Sequence, residues 1–367
     1  MRGSAAGLAC LALLAACTGP ATGGVRPSPS ASRAGVPSPS VRAGAVPSVS
    51  RILAQGLALP WGLGFLPDGS ALVTERNTAL MKRITPSGQV STLGKVPGVA
   101  PVPAGEGGLL GLAVSPAFAT DATVFVYFTA AADNRIARIT VRDGTLGLPE
   151  PILTGIPRGR IHNGGRLAFG PDGMLYAGTG ETSDRPLAQN TTSLGGKILR
   201  MTPAGRPAPG NPFTGSVVYS YGHRNVQGLA FARDGVLWAS EFGQSTWDEL
   251  NVIRAGANYG WPTQEGKGSG GKFADPVAQW RVADASPSGI AIAGDAVYMA
   301  ALRGERLWRI PVSGTTAGPP RAYFTGTYGR LRTVALAPDG SLWLVTSNTG
   351  RNTLRPGDDK VLRLTLS

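Results

Sequence analysis

The chain has 367 residues, of which 53 are glycine and 30 are proline, and only 16% are charged. This length is enough for one large all-β domain or for two ordinary domains. The formal net charge is +13. Because the arginines are scattered and form no long basic run, the charge argues against nucleic-acid binding and favours a local positive funnel for an anionic ligand.

Residues 1–16 have the features of a bacterial lipoprotein signal peptide. Arg2 supplies the positive start, residues 8–16 form an apolar core too short to span a bilayer, and small residues precede Cys17. We therefore expect an exported chain that is acylated on Cys17, with an ordinary secretory signal without lipid as the alternative. Cys10 would leave with the signal, so the mature chain would have no cysteine pair to oxidise.

Residues 17–50 are rich in proline, serine, glycine and alanine. Such a segment buries too little apolar surface to offset the entropy of ordering it, so we predict a flexible tether. The tether would attach the protein to a membrane only through its lipid. The catalytic domain is expected to span residues 51–367.

A loose repeat then runs through the chain, in which an apolar run, a small turn and a second apolar strand follow one another. Repeats spaced roughly 45 to 60 residues apart, each long enough for about four strands, are typical of a β-propeller. We predict an all-β fold with six blades, closed by pairing of the terminal strands at 360–365 and 52–57. The turns stand at Pro67-Asp68-Gly69, Ser115-Pro116, Pro171-Asp172-Gly173, Arg233-Asp234-Gly235, Gly294-Asp295 and Pro338-Asp339-Gly340.

The third repeat, residues 161–181, predicts a β-hairpin with polar residues at its open end. His162 opens the first strand and Glu181 closes the second, on either side of the turn at Asp172. Because a hairpin fixes where its end residues point, the imidazole and the carboxylate could meet at one rim. The alternative is that His162 is a turn residue with local hydrogen bonds.

Polar residues stand at the corresponding end of most repeats, where the loops of a propeller converge. Guanidinium groups pair bidentately with carboxylates, so arginines from several blades favour a ligand with several carboxylates. The alternative is that each arginine only packs between blades or lies on the surface. The residues are Glu106, His162, Arg166, Glu181, His223, Arg224, Asn225, Gln227, Arg303, Arg330 and Arg332.

Two stretches between the fourth and fifth repeats suit a hard cation. The main-chain carbonyls of Gly243 and Gln244 form one candidate site, and Glu249 with main-chain oxygens near Tyr259 forms another. Calcium prefers carboxylate and carbonyl oxygens on sharply bending loops. Acidic residues in glycine-rich loops also cap turns, which is the alternative.

Six motifs of the chain occur together, in the same order, in one known family. They are GEGGLLGLA, HNGGRLAFGPDG, GHRNVQGLAF, DELNVI followed by NYGWP, ALRGERLW and GRLRTVALAPDG. Over residues 51–367 the chain resembles the soluble quinoprotein glucose/sorbosone dehydrogenases, and most closely the bacterial aldose sugar dehydrogenases. These enzymes use pyrroloquinoline quinone (PQQ) and calcium on a six-bladed propeller.

The resemblance implies oxidation of the anomeric hydroxyl of an aldose to the lactone, with hydride transfer to PQQ. His162 matches the general base and Glu181 its acidic partner. The carbonyls of Gly243 and Gln244 match the calcium site that holds PQQ, and Glu249 with Tyr259 matches a structural calcium site. The positions that match cofactor contacts are Glu106, Arg224, Asn225, Gln227, Arg303, Arg330 and Arg332.

At three of these positions the chain departs from relatives. Glu106 stands where some carry glutamine, Gln244 replaces a common proline, and Arg303 stands where some have lysine. Electrons would leave to an external acceptor, since the chain has no C-x-x-C-H haem motif.

Two other functions remain open from the sequence: a propeller that only binds a ligand, and a calcium-dependent lactone hydrolase. The combination of His162 with an arginine set favours the redox enzyme, because a binding scaffold needs no base. A hydrolase would need carboxylates and an asparagine converging on one metal.

Overall fold

The computed structural model describes residues 42–268, 270–350 and 354–367. The predicted signal peptide, Cys17 and most of the predicted tether lie outside these residues. The described residues form a short helix, α1 (Phe118–Asp121), a 3-10 turn at Arg185–Ala188 and 26 strands. No helix in this described part is long and apolar enough to cross a membrane.

The strands of the first half are β1 (Pro47–Ala54), β2 (Pro60–Phe65), β3 (Ala71–Glu75), β4 (Leu80–Ile84), β5 (Val90–Lys95), β6 (Leu109–Val114), β7 (Thr123–Thr129), β8 (Asn134–Arg142), β9 (Thr145–Leu146), β10 (Glu150–Ile156), β11 (Leu167–Phe169), β12 (Leu175–Gly178) and β13 (Lys197–Met201). Those of the second half are β14 (Val218–Tyr221), β15 (Val226–Phe231), β16 (Leu237–Glu241), β17 (Trp247–Ile253), β18 (Ala278–Arg281), β19 (Pro287–Ala293), β20 (Ala296–Ala301), β21 (Arg306–Ser313), β22 (Thr316–Ala317), β23 (Arg321–Tyr323), β24 (Leu331–Leu336), β25 (Leu342–Thr346) and β26 (Val361–Leu366).

These strands form six sheets of four or five strands each, which are the blades of a propeller. Blades 1 to 5 begin with β2, β6, β11, β15 and β19, and blade 6 has the order β24, β25, β26, β1. Within each blade, every pair of neighbouring strands is antiparallel. The prediction of an all-β, six-bladed propeller is confirmed.

The ring closes through blade 6, where β1 pairs with β26 and Pro47 lies opposite Leu366. Closure by the terminal strands is confirmed, but β1 begins before the expected start of the domain near Arg51. Residues 47–50 pair with β26 at the edge of the sheet, and the two serines among them find hydrogen-bond partners there. Ser48 Oγ lies 3.0 Å from Thr365 Oγ1, and Ser50 Oγ donates to the Arg363 carbonyl. Composition alone could not separate such an edge strand from a tether.

Aspartate and glycine fix the hairpin turns in the same way in four blades. The carboxylates of Asp68, Asp172, Asp234 and Asp339 each accept the N–H of the residue two positions later, at 2.9 to 3.1 Å. This is an Asx turn, and the glycine after each aspartate takes the positive φ that the turn requires. The recurring Asp-Gly pairs therefore set the register of these hairpins.

The core lies between adjacent blades. The second strands β3 and β25 are buried at every residue. The reason is that the two neighbouring blades pack against the two faces of each of these strands. Trp238 and Trp343 are among the largest fully buried side chains, and Trp343 meets Phe65 edge to face at 5.1 Å. This packing holds the strand ends rigidly around the central channel, where the polar residues converge.

Candidate active site

His162 and Glu181 meet at the open end of the blade 3 hairpin. The His162 Nδ1–H donates to Glu181 Oε1 at 2.5 Å, and the two residues are only 7% and 1% exposed. Since Nδ1 is committed to the carboxylate, Nε2 is the ring nitrogen left for proton transfer. The second carboxylate oxygen of Glu181 has no hydrogen-bond partner among the described residues.

The backbone of His162 is held in a left-handed conformation, with φ of 57°. Its N–H donates to Glu106 Oε2 at 2.9 Å, and its carbonyl accepts the Thr182 N–H at 3.2 Å. Gly180 passes so close that a Cβ there would lie 1.9 Å from the His162 carbonyl oxygen. A non-glycine residue keeps such a conformation only where its surroundings impose it, which is typical of functional sites.

A second histidine–glutamate pair lies at the corresponding place in blade 4. His223 Nδ1 lies 2.8 Å from Glu241 Oε2, and its Nε2 is 2.9 Å from Ser220 Oγ. The whole group is buried, and the His223 ring stacks on Tyr259 at 4.6 Å. With both ring nitrogens engaged, His223 ties β14, the last strand of blade 3, to β16 of blade 4.

The two glutamates hold the backbone of Arg224 from both sides. Glu241 Oε1 accepts the Arg224 N–H, and the Glu181 N–H donates to the Arg224 carbonyl at 2.9 Å. The guanidinium donates to Gln244 Oε1 from Nε at 3.2 Å and from Nη2 at 2.8 Å. Burial lowers the pKa of Arg224, and the charges of Glu181 and Glu241 oppose that effect.

Beside this group a cleft opens on the propeller axis, with an empty volume of about 460 Å³ counted out to solvent. The charged residues that line it are three arginines and one glutamate, a formal charge of about +2. The lining residues are Leu59, Trp61, Arg76, Glu106, Gln227, Phe242, Leu302, Arg330, Arg332, Ser347 and Gly350.

Arg332 is the most deeply placed cation of this cleft. It is 7% exposed, its Nη1 donates to Gln227 Oε1 at 2.6 Å, and its Nε has no hydrogen-bond partner among the described residues. Burial lowers its pKa well below the ordinary value, and the charges of Arg76 and Arg330 lower it further. Such a site gains from any anion that approaches the guanidinium.

Below the cleft, Arg166 lies in the central channel. Its Nε donates to the Gln227 carbonyl at 2.7 Å and its Nη2 to Thr333 Oγ1 at 3.1 Å. The guanidinium stacks over Trp61 at 4.3 Å, and burial lowers its pKa to about 9. This stack places a positive charge against Trp61, which lines the cleft.

Of the sequence-predicted cofactor contacts, Glu106, Gln227, Arg330 and Arg332 line the cleft. His162 adjoins it through Glu106. Asn225 lies behind His162, where its Oδ1 accepts the Gly164 N–H at 3.0 Å and its Nδ2 has no partner among the described residues.

Two of the predicted contacts lie elsewhere. Arg224 lines a smaller neighbouring cavity that shares Phe242 with the cleft. Arg303 is an exposed turn residue, and Leu302 faces the cleft in its place. Arg303 itself is not among the residues that line the cleft.

The loop that follows β16 carries the proposed calcium carbonyls of Gly243 and Gln244. A single oxygen, Glu265 Oε1, accepts the four successive N–H groups of residues 244–247 at 2.8 to 3.0 Å. These bonds outweigh burial and lower the pKa of Glu265. They also turn the amide hydrogens of this loop toward Glu265, and no backbone N–H of the described residues donates to either carbonyl.

Glu249 and Tyr259 line the smaller cavity together with Glu241 and Glu265. Burial and the charge of Glu241 raise the pKa of Glu249 to about 8. Its oxygens accept the Gly266 N–H at 2.8 Å and Asn251 Nδ2 at 3.0 Å. Within the described ranges, no cluster of three or more His, Cys, Asp or Glu side chains is arranged to hold a metal ion.

Sequence reasoning missed Arg76 and Glu265. Arg76 directly follows β3, the second strand of blade 1, just as Glu181 and Glu241 stand at or after the second strands of their blades. The rule that polar residues cluster at repeat ends could have found it. Glu265 belongs to a long inter-blade excursion, and no repeat signal marks it.

The sequence profile of the Glucose / Sorbosone dehydrogenase family matches residues 57–355. The chain belongs to this family. Aldose sugar dehydrogenase YliI of Escherichia coli (strain K12) is 30% identical to this chain over 341 residues. The match covers 83% of this chain and 91% of that protein. Quinoprotein glucose dehydrogenase B of Acinetobacter calcoaceticus is 33% identical over 275 residues, or 64% of this chain and 57% of that protein. The chain thus matches little more than half the length of the Acinetobacter relative.

Among solved structures of glucose/sorbosone dehydrogenases, the PQQ-bound aldose sugar dehydrogenase of Streptomyces coelicolor is similar over the whole propeller. It is 58% identical, and the two superpose with a TM-score of 0.87 over 89% of this chain and 100% of that one.

The residues present in this family member fit a polycarboxylate cofactor such as PQQ. The cleft is cationic, and the unpartnered Nε of Arg332 is a buried donor that requires an acceptor. For calcium, the donor set consists of oxygens: two main-chain carbonyls in one site, and a desolvated carboxylate in the other. A cation would offset both the burial and the repulsion by Glu241 that raise the pKa of Glu249.

Proposed function

We propose that the protein is a PQQ- and calcium-dependent aldose sugar dehydrogenase. The observation that carries the proposal is a buried histidine–glutamate pair, His162 and Glu181, placed beside a cleft whose charged lining is mostly arginine. A base and an anion site side by side suit removal of a proton from a hydroxyl group and of a hydride from the carbon that bears it. The family membership and the quinoprotein relatives support the same reaction.

PQQ, when bound, supplies a quinone that accepts the hydride from the anomeric carbon of the sugar. His162 Nε2 takes the proton of the anomeric hydroxyl, so that the products are a lactone and a reduced cofactor. The Glu181 carboxylate fixes the ring through Nδ1 and stabilises the imidazolium that forms. Arg330 and Arg332 hold the cofactor carboxylates and offset negative charge that builds up during transfer.

We place calcium at the carbonyls of Gly243 and Gln244, beside the cofactor, and at Glu249 with the Tyr259 region. Gln244 has a further part in this arrangement, because its side chain accepts two bonds from the Arg224 guanidinium. The calcium loop and Arg224 are therefore expected to move together.

The test is titration of the purified protein with PQQ in the presence of calcium, followed by dye reduction with a panel of aldoses before and after a chelator is added. Activity that needs PQQ, calcium and sugar together supports the proposal. A chain that does not bind PQQ at micromolar concentration would instead be a non-catalytic binding propeller.

His162→Ala separates binding from chemistry. We expect PQQ binding to persist and turnover to fall by a factor of about 10² to 10⁴, because only the base is lost. Retained turnover would remove His162 from the mechanism.

We also propose export and lipid anchoring at Cys17, on the strength of the signal pattern in residues 1–17. Reduced cofactor at the cell surface would then pass its electrons to an external acceptor. Cys17→Ala is expected to release the protein from membranes into the soluble fraction. A membrane-bound Cys17→Ala protein would argue against this anchor.

A further inference from the structure

Glu106 is joined to the loop that carries His162 by two hydrogen bonds in opposite directions. The Glu106 N–H donates to the Arg160 carbonyl at 2.8 Å, and Glu106 Oε2 accepts the His162 N–H at 2.9 Å. Gly105 allows this close approach, since a Cβ there would lie 2.5 Å from the Arg160 carbonyl oxygen. A loop of blade 2 thus fixes the entry to blade 3.

The bond falls on the residue whose backbone is strained. His162 has φ of 57°, and in this conformation its N–H donates to Glu106 Oε2. The other restraints act on the carbonyl side, through Thr182 and Gly180. Without the Glu106 carboxylate, the His162 N–H has no hydrogen-bond partner among the described residues, and the residue could relax toward the ordinary right-handed or extended regions.

We propose that Glu106 is a positioning residue that holds the His162 backbone in its left-handed conformation, and that its carboxylate acts on the base and not chiefly on the cofactor. This inference rests on the proposed function only in naming His162 the base. It also accounts for a carboxylate in a cleft meant for an anion, because one oxygen is engaged by an N–H and the charge lies in the field of Arg224 and Arg332.

The test uses the cofactor-free protein, so that its outcome does not depend on PQQ binding. NMR of the histidine side chains is suitable, because the chain has only two histidines. After labelling with ¹⁵N-histidine, each imidazole gives its own NMR signals. Those of His162 are assigned by their loss in His162→Ala, and those of His223 report on the fold around that buried residue.

Three variants at position 106 separate reach from charge. Glu106→Ala removes the acceptor, Glu106→Asp keeps the charge but is one methylene shorter, and Glu106→Gln keeps an acceptor oxygen without the charge. Glu150→Gln is the matched control, because it removes an exposed carboxylate that pairs with Arg138 far from His162.

We expect the His162 signals to shift or broaden in the alanine and aspartate variants and to stay in place in the glutamine variant and the control. The His223 signals stay unchanged in all four. If Glu106→Ala does not fold, the aspartate variant decides the matter alone. Unmoved His162 signals in the variants that remove or shorten the acceptor overturn the proposal.

Kinetics distinguish positioning from cofactor contact. In Glu106→Ala we expect kcat to fall by about 100-fold, as displaced catalytic groups commonly cause, with little change in the Kd for PQQ. A weakened Kd with unchanged kcat and unmoved His162 signals would make Glu106 a cofactor contact. If the wild type proves to have no PQQ-dependent activity, the proposed function fails, while the NMR arm still decides whether Glu106 positions His162.

Discussion

Glu181→Gln isolates the charge of the carboxylate from its shape. Glu181 is 1% exposed, so the isosteric amide occupies the same space, and its NH₂ can take the place of Oε2, which accepts no hydrogen bond from the described residues. The amide oxygen can therefore still accept the His162 Nδ1–H, and the ring keeps its tautomer. What disappears is the ionic part of the bond.

A hydrogen bond to a charged group contributes about 1.5–3 kcal/mol and a neutral one about 0.5–1.5 kcal/mol, so the ionic part amounts to about 1–1.5 kcal/mol. If this part is contributed in the transition state, where the imidazole becomes cationic, its loss lowers kcat by roughly 5- to 13-fold. Glu181→Ala should be worse, because it also frees the ring to rotate and to change tautomer.

The assay is kcat for dye reduction at saturating PQQ, calcium and aldose, with the Kd for PQQ measured separately. We expect both variants to bind PQQ like the wild type. A Glu181→Gln enzyme whose kcat stays within about threefold of the wild type would refute the idea that the carboxylate stabilises a developing charge.

Three further outcomes follow from the structure. Arg332→Ala should weaken PQQ binding by roughly 10- to 150-fold, since it removes a buried charged donor. Arg303→Ala, on an exposed turn, should leave the Kd for PQQ unchanged. Equal effects of the two variants in equilibrium titrations would contradict the placement of the cleft. Trp343→Ala should lower the free energy of unfolding by about 3–5 kcal/mol, because the side chain is 2% exposed between blades 6 and 1, and denaturant unfolding checks this. Burial acts to raise the pKa of Asp68 and Asp339, but hydrogen bonds from Ser70 and Ser341 outweigh it, and both pKa values lie below the ordinary 3.8. Each carboxylate therefore stabilises the fold above that pH and loses the effect as the pH falls through its lowered pKa. The Asp68→Asn, Asp339→Asn double variant should consequently show a flatter acid-unfolding profile below about pH 4; a profile parallel to the wild type would count against it.

The fold could be predicted because its signals are local. An apolar strand, an Asp-Gly turn and a second strand specify a hairpin, and the Asx bonds at Asp68, Asp172, Asp234 and Asp339 show the physical basis of that pattern. The meeting of His162 with Glu181 follows from the same hairpin logic. What joins one blade to the next leaves little trace in the sequence.

The parts of the site that could not be predicted depend on side chains that cross between blades or loops. Three sets of hydrogen bonds show this, because each joins residues far apart in the chain. Gln244 accepts from the Arg224 guanidinium, Glu265 accepts from the N–H groups of residues 244–247, and Glu106 accepts from the His162 N–H. Arg303 is a different case, since its motif gives its place in the chain, and the structure puts it on an exposed turn beside Leu302, which lines the cleft. The start of β1 at Pro47 was hidden for a similar reason, because an edge strand needs no apolar pattern.

The paired arrangement of His162–Glu181 and His223–Glu241 has a consequence for how sites are recognised by residue type. The group Ser220–His223–Glu241, which joins β14 of blade 3 to blade 4, contains the three members expected of a serine hydrolase, yet it is buried and its hydroxyl only bonds to the second ring nitrogen. A search for catalytic constellations would select this inert group ahead of the pair beside the cleft. In a protein made of repeated units, the same side chains recur as scaffold in one copy and as chemistry in another, and only access to a substrate tells them apart.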